Sequence, residues 1–292
     1  MSIMSGGKYS IENFLGYGQF GTVQHAFDKE NNRDVVVKHL KNVDAERQDT
    51  MIVLKEVFLS HTLRHQNISS LLDIRISDRN IFTITEFFKF DLYNILYDSG
   101  TASPTIRSRA DYLNILYQLL EGIRYLHSVG VLHRDIKPSN ILIHSDLTVK
   151  ICDFSSARLI GMYPSISNSE SDTLTEYVVT RWYRAPEVFL NPGYYGFPQD
   201  IWSLGCTFCE LIRGSPLFQG SSSVNQIRAI VSILGKPTEE DLDFIMTPLS
   251  KRFVKNIIIF GEPCLDTVIP DAKEVHPELL LFLKQLLQFN PT

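Results

Sequence analysis

Residues 133–140, with the sequence His-Arg-Asp-Ile-Lys-Pro-Ser-Asn, bring three chemically capable side chains into one short loop. Asp135 carries a carboxylate that can accept a proton, Lys137 carries a cation, and Asn140 offers an amide oxygen to a metal ion. A second carboxylate, that of Asp153, follows 18 residues after the first. The loop therefore predicts a site where a proton acceptor works beside a cation and a metal ion.

Glycines in the segment GYGQFGTV form a second motif, G-x-G-x-x-G, with Gly16, Gly18 and Gly21. Such a motif can open a helix in a dinucleotide-binding fold. It can also form a glycine-rich β-turn that lies over nucleotide phosphates. The residues that follow, TVQHAF, resemble a strand, which favours the β-turn, with Phe20 at its tip as a cap over the site.

Lys38 follows three valines and lies 22 residues after Gly16. A strand with apolar neighbours would deliver this ammonium group either to a sheet edge, as an ordinary lysine, or to a phosphate. The second role needs an anionic partner to hold the lysine, and Glu56 on a predicted helix is the candidate.

The elements that must position these residues divide into a strand-rich first third and a helical remainder. Residues 9–87 contain runs of β-branched and aromatic residues broken by glycine or polar segments, with one helix predicted at 51–65. Beyond residue 90 or so, apolar residues recur at helical spacing. Helices are predicted there at residues 112–130, 200–214, 221–235 and 277–287, and a loop at 162–175. Strands followed by helices predict an α+β fold in two lobes.

Composition excludes several classes of protein. The 292 residues include 28 basic and 33 acidic side chains, so the formal net charge is −5. A hydrophobic share of 44% excludes disorder over most of the length. The acidic balance argues against nucleic-acid binding through bulk positive charge. No run approaches the roughly 18 apolar residues of a membrane span.

Cys206 and Cys209 form a C-x-x-C pair that allows two interpretations. The pair can hold zinc or do redox chemistry, or it can consist of two free thiols in a buried helix. The apolar residues around it and the lack of a second Cys or His pair favour the helix. Four cysteines in a chain this long do not make a disulfide framework, so a reducing, intracellular location is expected.

Two downstream motifs complete the pattern: Thr175-Glu176-Tyr177, and then VVTRWYRAPE at residues 178–187. With the loop 133–140 they make the chain resemble the eukaryotic protein kinases from about residue 9 to its last residue. Within that group it is similar to the mitogen-activated protein kinases of the extracellular-signal-regulated type. Residues 236–276 correspond to the insert of those kinases.

The resemblance implies a two-lobed α+β protein kinase fold. An N-terminal extension at 1–8 would precede a single kinase domain, whose N-lobe spans 9–87 and whose C-lobe spans 88–292. The N-lobe would be rich in strands with one key helix, and the C-lobe would be helical.

The resemblance also implies catalytic roles. Lys38 would bind the α- and β-phosphates of ATP and Glu56 would hold it. Asp135 would accept the proton of the substrate hydroxyl or orient that hydroxyl. Lys137 would neutralise charge on the transferred γ-phosphoryl group. The ligands of Mg²⁺ would be Asn140 and Asp153.

ATP would lie between the lobes. Residues 86–88 would be the hinge that offers backbone groups to adenine, and the small Thr85 would leave the pocket behind adenine open to bulky inhibitors. The residues implied to contact the nucleotide are Gly16, Tyr17, Gly18, Gln19, Phe20, Gly21, Val23, Val36, Lys38, Thr85, Glu86, Phe88 and Leu142.

Phosphorylation of Thr175 and Tyr177 would be the switch, because a phosphate orders a loop when basic groups surround it. The basic groups at matching positions are Lys55, Arg134 and Arg158 for phosphothreonine, and Arg181 and Arg184 for phosphotyrosine.

Four departures from the family pattern bear on activity. Ser155 replaces the glycine after Asp153-Phe154, so flipping of that segment should be less free. Val36 replaces an alanine that would face adenine. Lys55 replaces an arginine and cannot make a bidentate fork to phosphate. The chain ends at Thr292 where relatives continue, so we expect Glu187 to lack an arginine partner and the acidic docking patch of the tail to be missing.

Two hypotheses follow from the resemblance. The first is an active, proline-directed serine/threonine kinase switched on by dual phosphorylation. The second is a catalytically weak pseudokinase or scaffold that keeps the fold and the switch. A dinucleotide-dependent oxidoreductase is excluded, because that function does not explain the sequence of residues 133–140.

The resemblance further implies ATP and Mg²⁺ as cofactors and a set of protein partners. These would be an upstream dual-specificity mitogen-activated protein kinase kinase, substrates with Ser/Thr-Pro sites, and phosphatases. No direct nucleic-acid contact and no membrane span are expected. The protein is expected to be a monomer in the cytoplasm and nucleus.

Overall fold

The computed structural model describes residues 7–18, 21–40, 47–77, 80–98, 106, 108–160, 181–191, 193, 196–259, 265–269 and 278–292. Four residues singled out above lie outside these ranges. They are the predicted nucleotide contacts Gln19 and Phe20 and the predicted phosphorylation sites Thr175 and Tyr177.

A five-stranded antiparallel sheet forms most of the N-terminal lobe. Its strands are β1 (Tyr9–Gly18), β2 (Gly21–Asp28), β3 (Arg33–Leu40), β4 (Leu71–Ser77) and β5 (Asn80–Glu86), in the spatial order β1-β2-β3-β5-β4. Asp28 closes the turn between β2 and β3, because its carboxylate accepts hydrogen bonds from Asn31 Nδ2 at 2.7 Å and from the backbone N of Glu30 at 3.2 Å. The resulting register sets Lys38 opposite Val23.

One helix, α1 (Arg47–Thr62), packs beside this sheet. Its first residue lies four positions before the predicted start at residue 51, and its last residue lies three positions before the predicted end at residue 65. The apolar spacing continues to Leu63, but a turn follows. His65 accepts hydrogen bonds from the backbone N of Asn67 through Nδ1 at 3.1 Å and from that of Ile68 through its carbonyl at 3.1 Å. This turn ends the helix and leads the chain towards β4.

Helices dominate the C-terminal lobe. They are α2 (Leu92–Tyr97), α3 (Arg109–Ser128), α4 (Pro186–Leu190), α5 (Pro198–Arg213), α6 (Ser223–Leu234), α7 (Pro248–Lys255), α8 (Leu265–Val268) and α9 (Leu279–Leu286). Ser108 begins α3 with a reciprocal capping box to Asp111. Gly214 ends α5 with a backbone φ of 76°, a conformation that favours glycine. Local sequence signals therefore set these two boundaries.

Two small sheets flank the loop 133–140, which contains Asp135, Lys137 and Asn140. One contains β6 (Phe90–Asp91), β8 (Ile141–Ile143) and β9 (Val149–Ile151), and the other pairs β7 (Val131–Leu132) with β10 (Arg158–Leu159). The loop 133–140 connects β7 to β8 and includes a 3-10 turn, Pro138–Asn140. The loop is therefore held at both ends by short strands, β7 and β8, of the C-terminal lobe.

Buried apolar residues form one extensive core in the C-terminal lobe. The same core includes Leu59, Leu63 and Ile68, which lie on α1 or just after it. The N-terminal lobe has two smaller clusters, one of which lies between the sheet and α1. The end of α1 and the segment before β4 thus attach the N-terminal lobe to the larger core.

Cys206 and Cys209 lie on α5, where both thiols are free and buried. Burial raises the pKa of both thiols well above the ordinary value. Within the described part of the chain, no helix combines the length and the apolar character needed to cross a membrane.

Candidate active site

A buried aspartate of α5 fixes the start of the loop 133–140. The Asp200 carboxylate accepts hydrogen bonds from the backbone N of His133 and of Arg134, each at 2.8 Å. His127 Nε2 lies 2.9 Å from the same carboxylate. Arg134 has a backbone φ of 70°, which is costly for a residue with a side chain. The two bonds to Asp200 hold the loop in this conformation.

Asp135 is the centre of a small polar cluster within this loop. Its Oδ2 lies 2.8 Å from Lys137 Nζ and accepts a hydrogen bond from Asn140 Nδ2 at 2.9 Å. The same Asn140 nitrogen also donates to the Asp135 carbonyl at 2.8 Å. Among the described residues, Asp135 Oδ1 has no hydrogen-bond partner, so this oxygen is left to accept a proton from an incoming hydroxyl group.

Asp153 lies next to this loop because of backbone bonds between the two segments. Cys152 N donates to the Asn140 carbonyl at 3.0 Å, and His133 Nε2 lies 2.9 Å from the Cys152 carbonyl. Burial opposes ionisation of the Asp153 carboxyl, but the Lys38 cation and the hydrogen bonds from Ser155 outweigh it and hold its pKa below the ordinary value. Asp153 therefore carries a half-buried negative charge close to Lys38.

Ser155, where the family pattern has glycine, fits this arrangement without backbone strain. Asp153 has a positive φ of 64°, whereas Ser155 is not among the described residues with positive φ. The backbone N of Ser155 donates to Asp153 Oδ1 at 3.2 Å. A side chain at this position is therefore compatible with the conformation seen here.

Lys38 and Glu56 form an ion pair between β3 and α1, with Nζ 2.5 Å from Oε1. Burial lowers the pKa of Lys38, but the carboxylates of Glu56 and Asp153 outweigh it and raise that pKa overall. Burial also raises the pKa of Glu56, and Lys38 offsets only part of this. Glu56 Oε2 is buried and has no hydrogen-bond partner within the part of the chain that the structure describes. The pair thus holds the Lys38 cation near a second carboxylate, that of the half-buried Asp153.

Within the described ranges, the predicted nucleotide contacts lie on the five-stranded sheet, in the hinge and on β8. Val36 lies opposite Thr85 and is half-buried, whereas its neighbours Val35 and Val37 are fully buried on the other face of the sheet. Val23 and Leu142 are likewise half-buried. In the hinge, residues 86–88, the Phe87 ring packs on His25 with ring centres 4.3 Å apart. Val23, Val36 and Thr85 thus lie on the face of the sheet that also carries Lys38.

Two glycines of the motif, Gly16 and Gly21, differ in whether a larger side chain would fit at their positions. A Cβ on Gly21 would meet the His39 carbonyl oxygen at 1.7 Å, so only glycine fits there. A Cβ on Gly16 would meet nothing within 4 Å. The intervening Tyr17 is 84% exposed. Gly21 is therefore required by the approach of β3, and Gly16 is not required by packing.

The predicted phosphate-reading residues lie on several elements, and all are half-buried: Lys55, Arg134, Arg158, Arg181 and Arg184. Arg158 lies opposite Leu132 in the β7–β10 pair, and Arg181 Nη1 donates to the Ser221 carbonyl at 3.2 Å. Three of them, Arg158, Arg181 and Arg184, flank residues 161–180, which lie outside the described part of the chain.

Sequence reasoning missed the residues of α5 that support the site. Besides Asp200, Glu210 accepts hydrogen bonds from Tyr97 at 2.6 Å and from Tyr183 at 2.7 Å. Ser203 Oγ donates to the Tyr183 carbonyl at 2.7 Å. An acidic residue inside an otherwise apolar helix was the available signal, since a buried charge needs partners.

Glu187 is buried on α4 and borders a pocket of about 360 Å³ together with Trp202. Burial raises the pKa of its carboxyl to about 7. Among the described residues, no side chain bonds or pairs with this carboxyl. The surroundings of this carboxyl therefore favour its neutral form.

The donor set at Asp153 suits a hard divalent cation such as Mg²⁺. Asn140 uses its nitrogen for Asp135, and its Oδ1 has no hydrogen-bond partner within the described ranges. That amide oxygen and the Asp153 carboxylate are oxygen ligands of the kind that Mg²⁺ prefers. These two residues therefore fit the predicted metal ligands.

Comparisons with known proteins agree with one another. A family model described as a protein kinase domain matches residues 9–292. The chain is 37% identical to mitogen-activated protein kinase 4 of Oryza sativa subsp. japonica over 290 residues, which cover 98% of this chain and 74% of that protein. It is 39% identical to mitogen-activated protein kinase 2 of Arabidopsis thaliana, with 98% and 73% covered.

Proposed function

The chain belongs to the mitogen-activated protein kinases, a family of serine/threonine protein kinases, and from that premise we propose that it phosphorylates serine or threonine residues that precede proline. Two observations support the proposal: Lys38 pairs with Glu56 near Asp153, and Lys137 pairs with Asp135 in the loop 133–140. ATP is the phosphoryl donor of this family.

In the proposed reaction, a bond forms between the substrate hydroxyl oxygen and the γ-phosphorus of ATP. The bond between that phosphorus and the β–γ bridging oxygen breaks, and ADP leaves. Asp135 Oδ1 accepts the hydroxyl proton or orients the hydroxyl group, while Lys137 neutralises charge on the transferred group. The Asp135 carboxylate stays in place because Lys137 and Asn140 hold its other oxygen.

Lys38 binds the α- and β-phosphates in this proposal, and Glu56 keeps the ammonium group directed into the cleft. Mg²⁺, held by Asn140 and Asp153, supplies charge neutralisation and orientation of the phosphates when bound. Catalysis then consists mainly of positioning and electrostatic stabilisation of a loose transition state.

Dual phosphorylation of Thr175 and Tyr177 is the proposed switch. Its support is the set of basic residues on the elements that flank them, among them Arg134 beside Asp135 and Arg158 in β10. An upstream dual-specificity kinase and phosphatases are the partners that such a switch requires. We place the protein in the cytoplasm and nucleus, as a monomer.

The scaffold alternative is not favoured, because Ser155 fits its position and the catalytic groups remain within hydrogen-bonding distance of one another. Activity is tested directly with the dually phosphorylated protein and Mg-ATP. It should label a peptide with a Ser-Pro site and leave the matched Ser-Ala peptide unlabelled.

Asp135→Asn should lower the turnover number in this assay by about 10³-fold, since the proton acceptor is lost. Asp146→Asn, at an exposed carboxylate in the turn between β8 and β9, is the control and should retain full activity. Equal labelling by the Asp135→Asn protein would overturn the mechanism. Equal labelling of both peptides would overturn proline direction alone.

A further inference from the structure

A polar cluster that joins the two lobes lies beside the hinge. Lys150 Nζ is 2.8 Å from each carboxylate oxygen of Glu86. Ser70 Oγ donates to Glu86 Oε1 at 3.0 Å. The Lys150 ammonium also lies 6.0 Å from the centre of the Phe88 ring. One lysine of the C-terminal lobe thus contacts two of the three hinge residues.

Each member of this cluster stands on a well-defined element. Glu86 is the last residue of β5, and Ser70 immediately precedes β4. Lys150 is the central residue of β9, between the fully buried Val149 and Ile151. The lysine therefore extends from a strand that is fixed in the large core, while the groups it binds belong to the smaller lobe.

The backbone reinforces this connection. The N of Ser69 donates to the Ile151 carbonyl at 2.9 Å, and the N of Ile151 donates to the Asn67 carbonyl at 2.9 Å. The segment before β4 is therefore already bonded to β9. The hinge has no such backbone bond to β9 among the described residues, so the side chain of Lys150 supplies the connection.

Lys150 also lies directly opposite Leu142 in the β8–β9 pair. Directly opposed residues of antiparallel strands project from the same face of a sheet. Leu142 is the nucleotide contact implied on the C-terminal lobe, which we call the floor of the site, and Glu86 begins the hinge expected to bind adenine. The floor and the hinge are thus joined through one lysine.

We propose that Lys150 is a positioning residue for the nucleotide: through Glu86 it fixes the hinge backbone relative to Leu142 and so sets the rate at which nucleotide leaves. The proposal rests on the nucleotide site described under Proposed function. The ammonium group makes two charge-assisted bonds, and its side chain is only 15% exposed, against 32% for Glu86. Loss of these bonds lets the hinge move away from the floor of the site.

The test compares Lys150→Met, which keeps an apolar stem and removes the charge, with Glu86→Gln and with the charge-swapped double variant Glu86→Lys/Lys150→Glu. Lys255→Met is the control, because Lys255 also makes an ion pair, with Glu239 at 2.7 Å, on the surface of α7. The dissociation constant of Mg-ADP is measured by calorimetry. The dissociation rate of a fluorescent ATP analogue is measured by stopped flow.

Each single variant should weaken Mg-ADP binding by about three- to tenfold, mostly through faster dissociation, as expected for a partly buried ion pair. The KM for ATP should rise by the same factor, while kcat should change by less than about twofold. The double variant should recover most of the lost affinity, and Lys255→Met should bind like the unaltered protein.

Unchanged Mg-ADP affinity in both single variants would overturn the proposal. So would an equal loss in Lys255→Met, or a loss that the double variant does not reverse. Because these readouts need no phosphoryl transfer, a protein that shows the affinity shifts but labels no peptide refutes only the proposed function. A protein that binds no nucleotide refutes both.

Discussion

In the N-terminal lobe the buried apolar side chains fall into two separate clusters, whereas in the C-terminal lobe they form one continuous core. The smaller lobe carries Lys38, the proposed phosphate-binding cation, and the larger lobe carries Asp135. The proposed phosphate-binding cation thus lies in the lobe with the smaller apolar clusters, where local opening costs less free energy.

The polar contacts differ in the same way. In the C-terminal lobe, Asp200 is fully buried and accepts two backbone hydrogen bonds from the loop 133–140. In the N-terminal lobe, Lys38 forms its ion pair with Glu56, whose other carboxylate oxygen is buried and has no hydrogen-bond partner among the described residues. A side-chain pair between two elements can separate when those elements move, whereas backbone bonds to one rigid helix hold the loop in register.

The largest expected effect tests the ion pair of the smaller lobe. Lys38→Met should lower kcat/KM by about 10³-fold, because the phosphates lose their cation and Glu56 stays buried without a partner. Hydrogen exchange should accelerate in β3 and α1 and stay slow in α5. A loss of protection that extends equally into α5 would contradict the contrast between the lobes. Lys89→Met, at an exposed lysine after the hinge, is the control.

A second test uses the same substitution in both cores. Leu40 in β3 and Leu119 in α3 are both fully buried. Leu119→Ala should lower the free energy of unfolding by about 4 kcal/mol, and Leu40→Ala by about 2 kcal/mol, because a small cluster near solvent can relax around the cavity. Urea unfolding followed by circular dichroism measures both. Equal losses would show that the two cores are equally constrained.

The smallest expected effect concerns Glu187, a buried carboxyl of the larger lobe. The pKa of Glu187 is about 7 in the folded protein, above its unfolded value, so folding takes up a proton and stability falls as the pH rises from about 4.5 to 7. Glu187→Gln should therefore raise the free energy of unfolding by about 1–2 kcal/mol at pH 8 and have little effect at pH 4.5.

Thermal unfolding at both pH values measures this difference, with Glu240→Gln, at an exposed carboxylate, as the control. A stabilisation that is the same at pH 4.5 and at pH 8 would show that ionisation of Glu187 is not its cause.

Much of the site could be predicted because its members are close together in the chain. Asp135, Lys137 and Asn140 occupy one loop, and their types and spacing were sufficient to predict a common site. Helix α5 was also predicted, with each boundary within two residues of the observed one, because its apolar run ends at Gly214. Local chemistry was sufficient for these features.

The supporting contacts could not be predicted because they join distant parts of the chain. Asp200 meets a loop 66 residues earlier, and Lys150 meets a glutamate 64 residues earlier. Neither spacing carries a periodic signal, and each contact depends on how two lobes are packed together. The pairing of Lys38 with Glu56 was reached only as a hypothesis for the same reason, since it joins a strand to a helix.

The two buried thiols of α5 make the protein its own reporter of unfolding. An alkylating reagent cannot reach Cys206 or Cys209 while the helix is packed, and their raised pKa keeps them as unreactive thiols. The rate at which Cys206 and Cys209 become alkylated, measured by mass spectrometry on the peptide that contains them, therefore reports how often the larger lobe opens. Alkylation rates measured at increasing urea concentration would follow the loss of the core that supports the loop 133–140. No engineered probe is needed.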